Sequence, residues 1–311
     1  MNILILTDGK AGHENQSRAF ARALGGEAVV RPVAFRSRLA KALSYLADRL
    51  GIASLGLFTA SPLQDGDRFA AVIGTGSGTF YAAKVAAHRL GVRCGVVLYP
   101  RGYSLSSFDC ILAPKFDRPA KAGNVVEIPA NLVANDAEFY ARGTADFLRR
   151  TGLAAERVAA TRTVAVIIGG PNQCATMTPE WMRGELRRVF SENAGAKFWV
   201  TTSRRTPAAV ERVVEEFPWD YRLLYSQDHF NPSPAFVSLA GRLYVTAEST
   251  GMLSEACTFG KAEVFALDNL RPGPHKFRRF IEDLTAGGYL NGENKVDLSA
   301  AFAQARKLLG L

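Results

Sequence analysis

Residues 243–267 read LYVTAESTGMLSEACTFGKAEVFAL, which is the most informative stretch of the chain. An apolar run, Leu243–Val245, ends in a small polar turn, and a second apolar run follows at Val264–Leu267. Between them, Met252–Phe259 has the composition of a short helix, which Gly260 closes. A strand, a polar turn, a short helix and a strand in this order predict a βαβ unit with parallel strands.

The turn of this unit, Thr246–Gly251, is a candidate anion site. Backbone N–H groups are free at a helix N-terminus, and the helix dipole favours a negative charge there. Ser249 and Thr250 add hydroxyl groups, and Glu255 follows one turn later, within reach of a sugar hydroxyl. The diphosphate and ribose of a sugar nucleotide could be held in this way. The alternative is an ordinary connection between helix and strand that Ser249 or Thr250 caps.

The length and composition indicate a globular chain with room for two domains. Of its 311 residues, 48% are hydrophobic and 22% are charged, which excludes a disordered protein. No apolar run approaches the roughly 20 residues that span a bilayer, and the N-terminus lacks the features of a signal peptide. We therefore expect a cytoplasmic protein. Four scattered cysteines without metal-ligand spacing fit reduced thiols, namely Cys94, Cys110, Cys174 and Cys257.

The positive charge is concentrated in the N-terminal half. Residues 1–150 hold 19 Lys/Arg and 12 Asp/Glu, a net charge of +7, whereas residues 151–311 hold 19 and 17, a net charge of +2. This asymmetry favours an acidic partner such as an anionic lipid, a phosphorylated substrate or a nucleic acid. The chain has no zinc-finger or RNP-type pattern, and its basic residues are not interleaved with aromatics. We therefore expect no nucleic-acid partner.

Strands and helices alternate along nearly the whole chain. A first set of strands runs from Asn2–Leu6 to Val125–Glu127, and a helix at Asp136–Thr151 leads to a soft boundary. The pattern restarts with a strand at Val164–Ile168. About six βα units in each half predict an α/β protein with two doubly wound parallel sheets. Ligands of such sheets bind beyond the carboxyl ends of the strands, so we expect the site in a cleft between two domains.

The loop after the first strand contains the candidate catalytic residues. It reads DGKAGHENQS over residues 8–17, and a helix is predicted to begin at about Asn15. His13 titrates nearest neutrality in this loop, so it is the natural general base or phosphate partner. Glu14 follows directly as a candidate acid. The alternative is a capped turn with solvated polar side chains.

Three further loops follow predicted strands. Ser203–Thr206 contains adjacent arginines before a helix, and two guanidinium groups there would clamp a phosphate. Gly170 ends another strand without bulk, which suits either a ligand or a plain turn. Gly74–Gly78 lacks the spacing of a dinucleotide fingerprint, so tight packing of strand and helix explains it equally well.

The segment Phe35–Phe58 has a basic, amphipathic character. Large apolar residues recur at helical spacing between Phe35 and Leu50, and Arg36, Arg38, Lys41 and Arg49 interrupt them. Such a helix can lie in the interface of an anionic membrane. The alternative, which is more common, is a helix that packs its apolar side on its own sheet and exposes a basic side.

Three of these segments together resemble a known family. ILTDGKAGHENQS at residues 5–17, TSRRTP at 202–207 and the stretch at 245–267 are similar to the "elongated mitochondria" family of mitochondrial-fission proteins, which has many bacterial members. The resemblance spans nearly the whole chain. It implies a GT-B glycosyltransferase fold, with two Rossmann-like domains facing a cleft, similar in plan to the lipid-linked muramyl-peptide GlcNAc transferase.

The resemblance also implies a division into three parts. Residues 1–155 would form the acceptor-side domain, residues 156–290 the nucleotide-sugar domain, and residues 291–311 a helix that crosses back to the first domain. The sequence departs from the family at Ala11, where proline is usual, and at Glu248, where aspartate is usual.

The residues of the first loop are implied to lie near the acceptor and the diphosphate, and those of the other motifs to bind the nucleotide. Within the second group, Glu255 corresponds to the acid that binds the ribose. With Gly170 from its strand end, the candidate binding residues are Gly12, Gly170, Ser203, Arg204, Arg205, Glu248, Ser249, Thr250, Gly251 and Glu255. The candidate catalytic residues are His13 and Glu14.

The sequence therefore predicts a glycosyltransferase that uses a nucleoside-diphosphate sugar. Its acceptor is expected to be anionic or lipid-linked, and the basic segment 35–58 is the candidate contact with an anionic membrane surface. No DxD-type motif is present, so neither a metal nor a further cofactor is expected. Two alternatives remain, which are a nucleotide-sugar 2-epimerase on the same scaffold and a non-enzymatic protein that recruits partners at a membrane surface.

Overall fold

The computed structural model describes residues 1–61, 68–155, 158 and 161–311. The chain forms two compact units, each described here by itself. The first unit contains Met1–Ala134 and Asp297–Leu311, and the second contains Asn135–Val296.

The first unit is built on one twisted sheet. Its strands are β1 (Asn2–Thr7), β2 (Glu27–Phe35), β3 (Phe58–Ala60), β4 (Ala71–Thr75), β5 (Arg93–Val97), β6 (Cys110–Pro114) and β7 (Val125–Ile128). Its first helices are α1 (Ala11–Ala23), α2 (Arg38–Arg49) and α3 (Phe80–Leu90). The strand order is β3-β2-β1-β4-β5-β6-β7, and all pairs are parallel except the edge pair of β2 and β3.

This strand order places the reversal of chain direction at β1 and β4. The chain runs outward from β1 to β3, and then begins again beside β1 with β4. The loops that follow β1 and β4 therefore separate at one point of the carboxyl edge, where open α/β sheets form their ligand sites. The alternating helices cover both faces of the sheet, as the predicted doubly wound architecture requires.

The second unit contains a smaller parallel sheet. Its strands are β8 (Thr163–Ile168), β9 (Lys197–Thr202), β10 (Tyr221–Leu223), β11 (Arg242–Thr246) and β12 (Glu263–Leu267). Its helices are α4 (Ala137–Thr151), α5 (Pro179–Glu192), α6 (Ala208–Glu215), α7 (Ser233–Leu239), α8 (Thr250–Thr258) and α9 (Lys276–Ala286). The strand order is β10-β9-β8-β11-β12, and β8 and β11 form the reversal point.

The predicted βαβ unit is confirmed as β11, α8 and β12. Residues 242–246 pair in parallel with residues 263–267; β11 is buried after its first residue, and β12 is buried at Val264 and Leu267. The helix α5 begins as its sequence predicts, because the hydroxyl of Thr178 accepts from Trp181 N and Pro179 occupies the first turn. The predicted α/β fold with two parallel sheets is therefore confirmed.

The division between the units falls before α4, whereas the sequence analysis placed it after this helix. The ring of Phe147 on α4 is fully buried. It packs against Trp199, Tyr221 and Phe236 of the second unit at centroid distances of 5.1, 4.8 and 6.0 Å. This aromatic cluster holds α4 in the second unit.

The last helix, α10 (Ser299–Leu309), belongs to the first unit. Ala305 and Leu309 are buried in the same cluster as Ile5 and Phe20. The guanidinium group of Arg306 donates to the carbonyl oxygen of Ala23 at the end of α1, at 2.9 and 3.2 Å. The first unit therefore uses residues from both ends of the sequence to complete one core.

Helix α2 buries the side opposite to the one expected if its leucines packed on the sheet. Its buried residues are Ala40, Ser44 and Asp48, whereas its leucines, Leu39, Leu43 and Leu46, lie at the surface. That alternative is therefore wrong. Within the described residues, no helix has the length and apolar content needed to cross a membrane.

Candidate functional site

The carboxyl edge of the first sheet brings together the ends of β1 and β4. Asp8 and Gly9 follow β1, and Gly76–Thr79 follows β4. Below them the hydroxyl groups of Ser17 and Thr75 meet at 2.6 Å, and both residues are buried. This contact fixes helix α1 against β4 and so sets the position of the first turn of α1 at this edge.

His13 forms a hydrogen-bonded pair with Asp8. Its Nδ1 atom lies 3.1 Å from both carboxylate oxygens. A carboxylate accepts, so Nδ1 carries the proton and Nε2 is left as the basic nitrogen. Among the described residues, Nε2 has no hydrogen-bond partner. A histidine held in this tautomer by a carboxylate is the arrangement expected of a general base.

The carboxyl group of Asp8 is ionised more readily than usual. Burial by itself would raise its pKa, but the charge of His13 and hydrogen bonds from Lys10 and His13 outweigh that effect and lower the pKa. Lys10 Nζ also lies 3.3 Å from Asp8 Oδ2. Asp8 is therefore an anion that can stabilise a protonated His13. The sequence analysis quoted Asp8 only as part of its loop, because the pairing over five residues becomes apparent only once α1 has formed.

The glycines after β4 make room for this pair. A Cβ atom at Gly76, whose φ is +81°, would lie 2.7 Å from His13 Nδ1. A Cβ atom at Gly78 would lie 2.7 Å from Asp8 Oδ2. These glycines are thus required for the close approach of His13 and Asp8. The sequence analysis gave two explanations for the glycines at 74–78, tight packing of strand and helix or the approach of a ligand. The structure adds a third, which is space for His13 and Asp8.

Gly12 and Glu14 are placed differently from the expectation for a loop. Helix α1 begins at Ala11, so the prediction of a start at about Asn15 is wrong, and Gly12, His13 and Glu14 form its first turn. Gly12 is exposed, and its carbonyl oxygen accepts from Gln16 Nε2 at 3.4 Å. The carboxylate of Glu14 pairs with Arg18 at 2.9 Å. Glu14 therefore interacts with Arg18 on the same helix and not with His13.

At the carboxyl edge of the second sheet, Glu248 connects three strand ends. Its Oε1 atom accepts from Gly170 N at 2.7 Å and from the Thr246 hydroxyl at 3.1 Å, and its Oε2 atom accepts from Asn269 Nδ2 at 2.8 Å. The Glu248 side chain has no solvent exposure. A Cβ atom on Gly169 would overlap its carboxylate. Glu248 thus joins the loops after β8, β11 and β12.

The turn Ser203–Thr206 is attached to this network. The hydroxyl of Thr206 donates to the carbonyl oxygens at the end of β8, and the hydroxyl of Ser203 accepts from Arg205 N at 3.2 Å. Arg205 Nη1 donates to Gly170 O at 3.3 Å, and Arg205 Nη2 lies 4.0 Å from Glu248 Oε1. Arg204 is exposed and pairs with no acid in the described part of the chain. The turn therefore holds two guanidinium groups near the ends of β8 and β11. Arg205 is held by its contacts, and Arg204 is exposed.

The N-terminus of α8 presents free backbone donors. The first hydrogen bond of the helix runs from Leu253 N to Ser249 O, so the N–H groups of Thr250, Gly251 and Met252 have no partner within the helix. The Ser249 side chain does not cap them. A Cβ atom on Gly251 would meet no atom within 4 Å, so the space in front of this residue is open. This arrangement suits an anion.

Glu255 lies on α8 beside α4. Its Oε1 atom accepts from Asn135 Nδ2 at 3.4 Å. Burial raises the pKa of Glu255, although the neighbouring Tyr140 acts in the opposite direction. Tyr140 itself is buried and stacks on Phe259 with ring centroids 4.4 Å apart. The sequence analysis missed Asn135, which precedes α4, and Tyr140, which lies on α4, because it assigned this part of the chain to the other domain.

Replacing Glu255 with glutamine is expected to change how stability depends on pH. Because the folded pKa is raised, the stability linked to this group is fully present below its ordinary pKa of 4.5 and is lost as pH rises through the folded value. Glu255→Gln has no such loss. Its melting temperature relative to wild type should therefore rise as the pH is increased above 4.5. Calorimetry of both proteins across this range would show it, with the exposed Glu138→Gln as the control. Parallel curves for Glu255→Gln and wild type would contradict it.

Within the described residues, no group of three or more His, Cys, Asp or Glu side chains is arranged to hold a metal ion. That a metal is not required stays a prediction.

In the second unit, the structure brings together Gly170, Arg205 and Glu248, and it places Ser249, Thr250 and Gly251 directly after Glu248 in the same loop.

Several solved structures have a similar architecture. A protein assigned as a UDP-N-acetylglucosamine 2-epimerase from Listeria monocytogenes has a TM-score of 0.51 at 13% identity, covering 100% of this chain and 88% of its own. The UDP-GlcNAc 2-epimerase of Methanocaldococcus jannaschii has a TM-score of 0.50 at 10% identity, covering 99% and 98%. A UDP-glucosyltransferase from Polygonum tinctorium has a TM-score of 0.49 at 10% identity, covering 99% and 91%.

These similarities, together with the two parallel sheets, define a protein of the GT-B fold class. The sequence model of the mitochondrial fission ELM1 family matches residues 11–299, so the chain belongs to that family. The resemblance inferred from the sequence motifs is thereby confirmed. No curated protein matches the chain in a sequence search.

Proposed function

We propose that the protein binds a nucleoside-diphosphate sugar at the carboxyl edge of its second sheet and transfers the sugar to an anionic or lipid-linked acceptor. One observation carries this proposal. The free N–H groups at the start of α8 and the arginine turn Ser203–Thr206, which contacts Gly170, both lie at the carboxyl edge of the second sheet. Both features favour the same kind of ligand, a diphosphate. The GT-B fold, which the named UDP-sugar enzymes share, supports the proposal.

The donor half of the mechanism is electrostatic. Breaking the bond between the sugar and the diphosphate leaves negative charge on the departing nucleoside diphosphate. The amides of Thr250 and Gly251, with Arg204 and Arg205, stabilise this charge as it develops. The hydroxyls of Ser249 and Thr250 add donors, and Glu255 accepts from a ribose hydroxyl. Glu248 and Ser203 keep these groups in place.

The acceptor half uses His13. Its Nε2 atom takes the proton of the acceptor hydroxyl while that oxygen attacks the sugar, and the carboxylate of Asp8 stabilises the imidazolium that forms. Lys10 pairs with Asp8, and Lys41 Nζ donates to Ser77 at 2.9 Å in the loop after β4. These two lysines place positive charge near His13, which favours an anionic acceptor. We propose that the protein acts in the cytoplasm, in contact with the membrane that contains such an acceptor.

Donor binding is expected to raise the melting temperature for one nucleotide series. The measurement is a thermal shift of wild type with UDP-, GDP-, ADP-, TDP- and CMP-linked compounds, in the presence of EDTA because we expect that no metal is required. A ligand at 100 times its Kd adds about 2.7 kcal/mol of stability. The shift should disappear in Arg204→Ala/Arg205→Ala and shrink in Glu255→Ala. It should persist in Arg142→Ala/Arg149→Ala, which removes two exposed arginines from α4.

The outcomes separate the proposal from its two alternatives. A shift that the Arg204→Ala/Arg205→Ala variant retains, with unchanged turnover, would show that the donor site is assigned wrongly. Consumption of the donor in the absence of any acceptor would indicate a 2-epimerase. Absence of a shift with every nucleotide would indicate a recruitment protein.

A further inference from the structure

Helix α2 and the turn after it carry a continuous set of exposed apolar side chains, here named the leucine surface. Four of them, at positions 39, 43, 46 and 50, share one side of the helix because their spacing follows its period. The exposed fraction ranges from 43% for Leu43 to 68% for Leu39. Apart from Met1, no other large apolar side chain is exposed in the described part of the chain. The leucine surface consists of Leu39, Leu43, Leu46, Leu50, Ile52 and Leu55.

The opposite side of α2 is polar and fixed. Asp48 has no side-chain exposure and pairs with Lys84 at 2.6 Å, and it accepts from Ser104 N at 2.7 Å. The hydroxyls of Ser44 and Tyr103 meet at 2.8 Å, and both residues are buried. Rotating the helix to bury its leucines would expose this network and break the buried ion pair, which is costly. The leucine surface is therefore a stable feature of the folded first unit.

The border of the leucine surface is positively charged. Arg38 and Arg49 occupy the same flank of α2, since eleven residues complete three turns, and Arg36 precedes the helix. None of these three arginines pairs with an acid in the described ranges. Asp48 is the single acid between residues 35 and 58, and Lys84 neutralises it inside the protein. Arg31 and Arg89 line a cavity together with Leu55, and so add positive charge at the edge of the surface.

We propose that the leucine surface docks on a lipid bilayer that contains anionic lipids. A helix with a large apolar side and a basic border lies in the plane of the membrane interface, with its apolar side chains among the acyl chains. The charges decide between this occupant and a second copy of the chain. A symmetric dimer through the leucine surface would bring two cationic borders together, whereas an anionic bilayer complements them.

The same helix reaches the edge where His13 lies. Lys41 on α2 donates to Ser77, and Ser77 lies between the glycines that contact His13 and Asp8. Docking through α2 would thus hold the candidate acceptor site near the bilayer. The proposal does not depend on transfer activity, because membrane binding can be measured without any sugar nucleotide.

The test is flotation of the full chain with lipid vesicles. Wild type is expected to bind vesicles of phosphatidylcholine and phosphatidylglycerol at least about tenfold more tightly than vesicles of phosphatidylcholine alone, and to be released by salt. Leu39→Gln/Leu43→Gln/Leu46→Gln/Leu50→Gln should lose this binding. Since the four side chains are exposed, circular dichroism and the melting temperature should stay close to wild type.

Two charge variants complete the experiment. Arg38→Gln/Arg49→Gln should weaken binding to anionic vesicles, while Arg142→Gln/Arg149→Gln, which changes two exposed arginines of α4, should leave it unchanged. Absence of vesicle binding by wild type, or equal binding by the leucine variant, would overturn the proposal. A wild-type dimer that the leucine variant converts to a monomer would assign the leucine surface to a second copy instead.

Discussion

Replacing Glu248 with alanine is expected to destabilise the second unit by roughly 3–5 kcal/mol, because it removes the acceptor for three buried donors and leaves a cavity. Gly170 N, the Thr246 hydroxyl and Asn269 Nδ2 all donate to this carboxylate. Arg205 would lose its nearby counter-charge as well. Urea unfolding of wild type and variant would give the difference in the free energy of unfolding.

The same substitution should also abolish nucleotide binding, because Glu248 positions the loops on both sides of the proposed diphosphate site. Glu248→Gln should be milder. Its amide keeps one acceptor for Gly170 N. The buried Asn269 Oδ1 atom, which has no hydrogen-bond partner among the described residues, can accept from the new NH₂ group if the Asn269 amide turns over. Glu138→Ala, at an exposed position on α4, is the control and should unfold like wild type. An alanine variant with wild-type stability would show that Glu248 is not a structural connection.

Replacing His13 with alanine is expected to lower turnover about 10²- to 10⁴-fold, the usual contribution of a general base. Nucleotide affinity should be unchanged, because the proposed donor residues belong to the second unit. Asp8→Asn should lower turnover too, since an amide cannot stabilise the imidazolium as a carboxylate does. Single-turnover kinetics with a saturating donor would separate the chemical step from binding.

A pH profile distinguishes a base from a residue that only contacts phosphate. If His13 is the base, wild-type turnover rises with pH through the titration of one group, and His13→Ala loses this rise. His88→Ala, which changes an exposed histidine on α3, should retain wild-type turnover and pH profile. A His13→Ala enzyme with full turnover and an unchanged profile would remove His13 from the mechanism.

Local patterns in the sequence were sufficient to predict the fold class. The run from Leu243 to Leu267 contains its own strand, turn and helix signals, and Thr178-Pro179 encodes the start of α5. The candidate diphosphate region of the second unit could also be proposed from the sequence, since its glycine, hydroxyl and arginine positions directly follow apolar runs. Such signals need only neighbouring residues to be interpreted.

Features that depend on distant residues were not predictable. Helical periodicity identified α2 as amphipathic, but the choice of its buried side depends on Lys84 and Tyr103, which lie far along the chain. The structural role of Glu248 depends similarly on Gly170 and Asn269. The pairing of His13 with Asp8 depends on helix α1 beginning at Ala11. The sequence gives no capping signal for this start, because Lys10 at the N-cap makes no side-chain capping hydrogen bond.

The first unit is assembled from both ends of the sequence, and this has a consequence for synthesis. A ribosome releases β1 to β7 well before α10, whereas the second unit is complete by Val296. Until α10 emerges, one face of the first sheet lacks Ala305 and Leu309, which cover Ile5 and Phe20 in the finished protein. Domains generally fold as they are made, N-terminal first. In this chain the core of the first unit can be completed only after the whole second unit has been synthesised, because α10 follows it in the sequence.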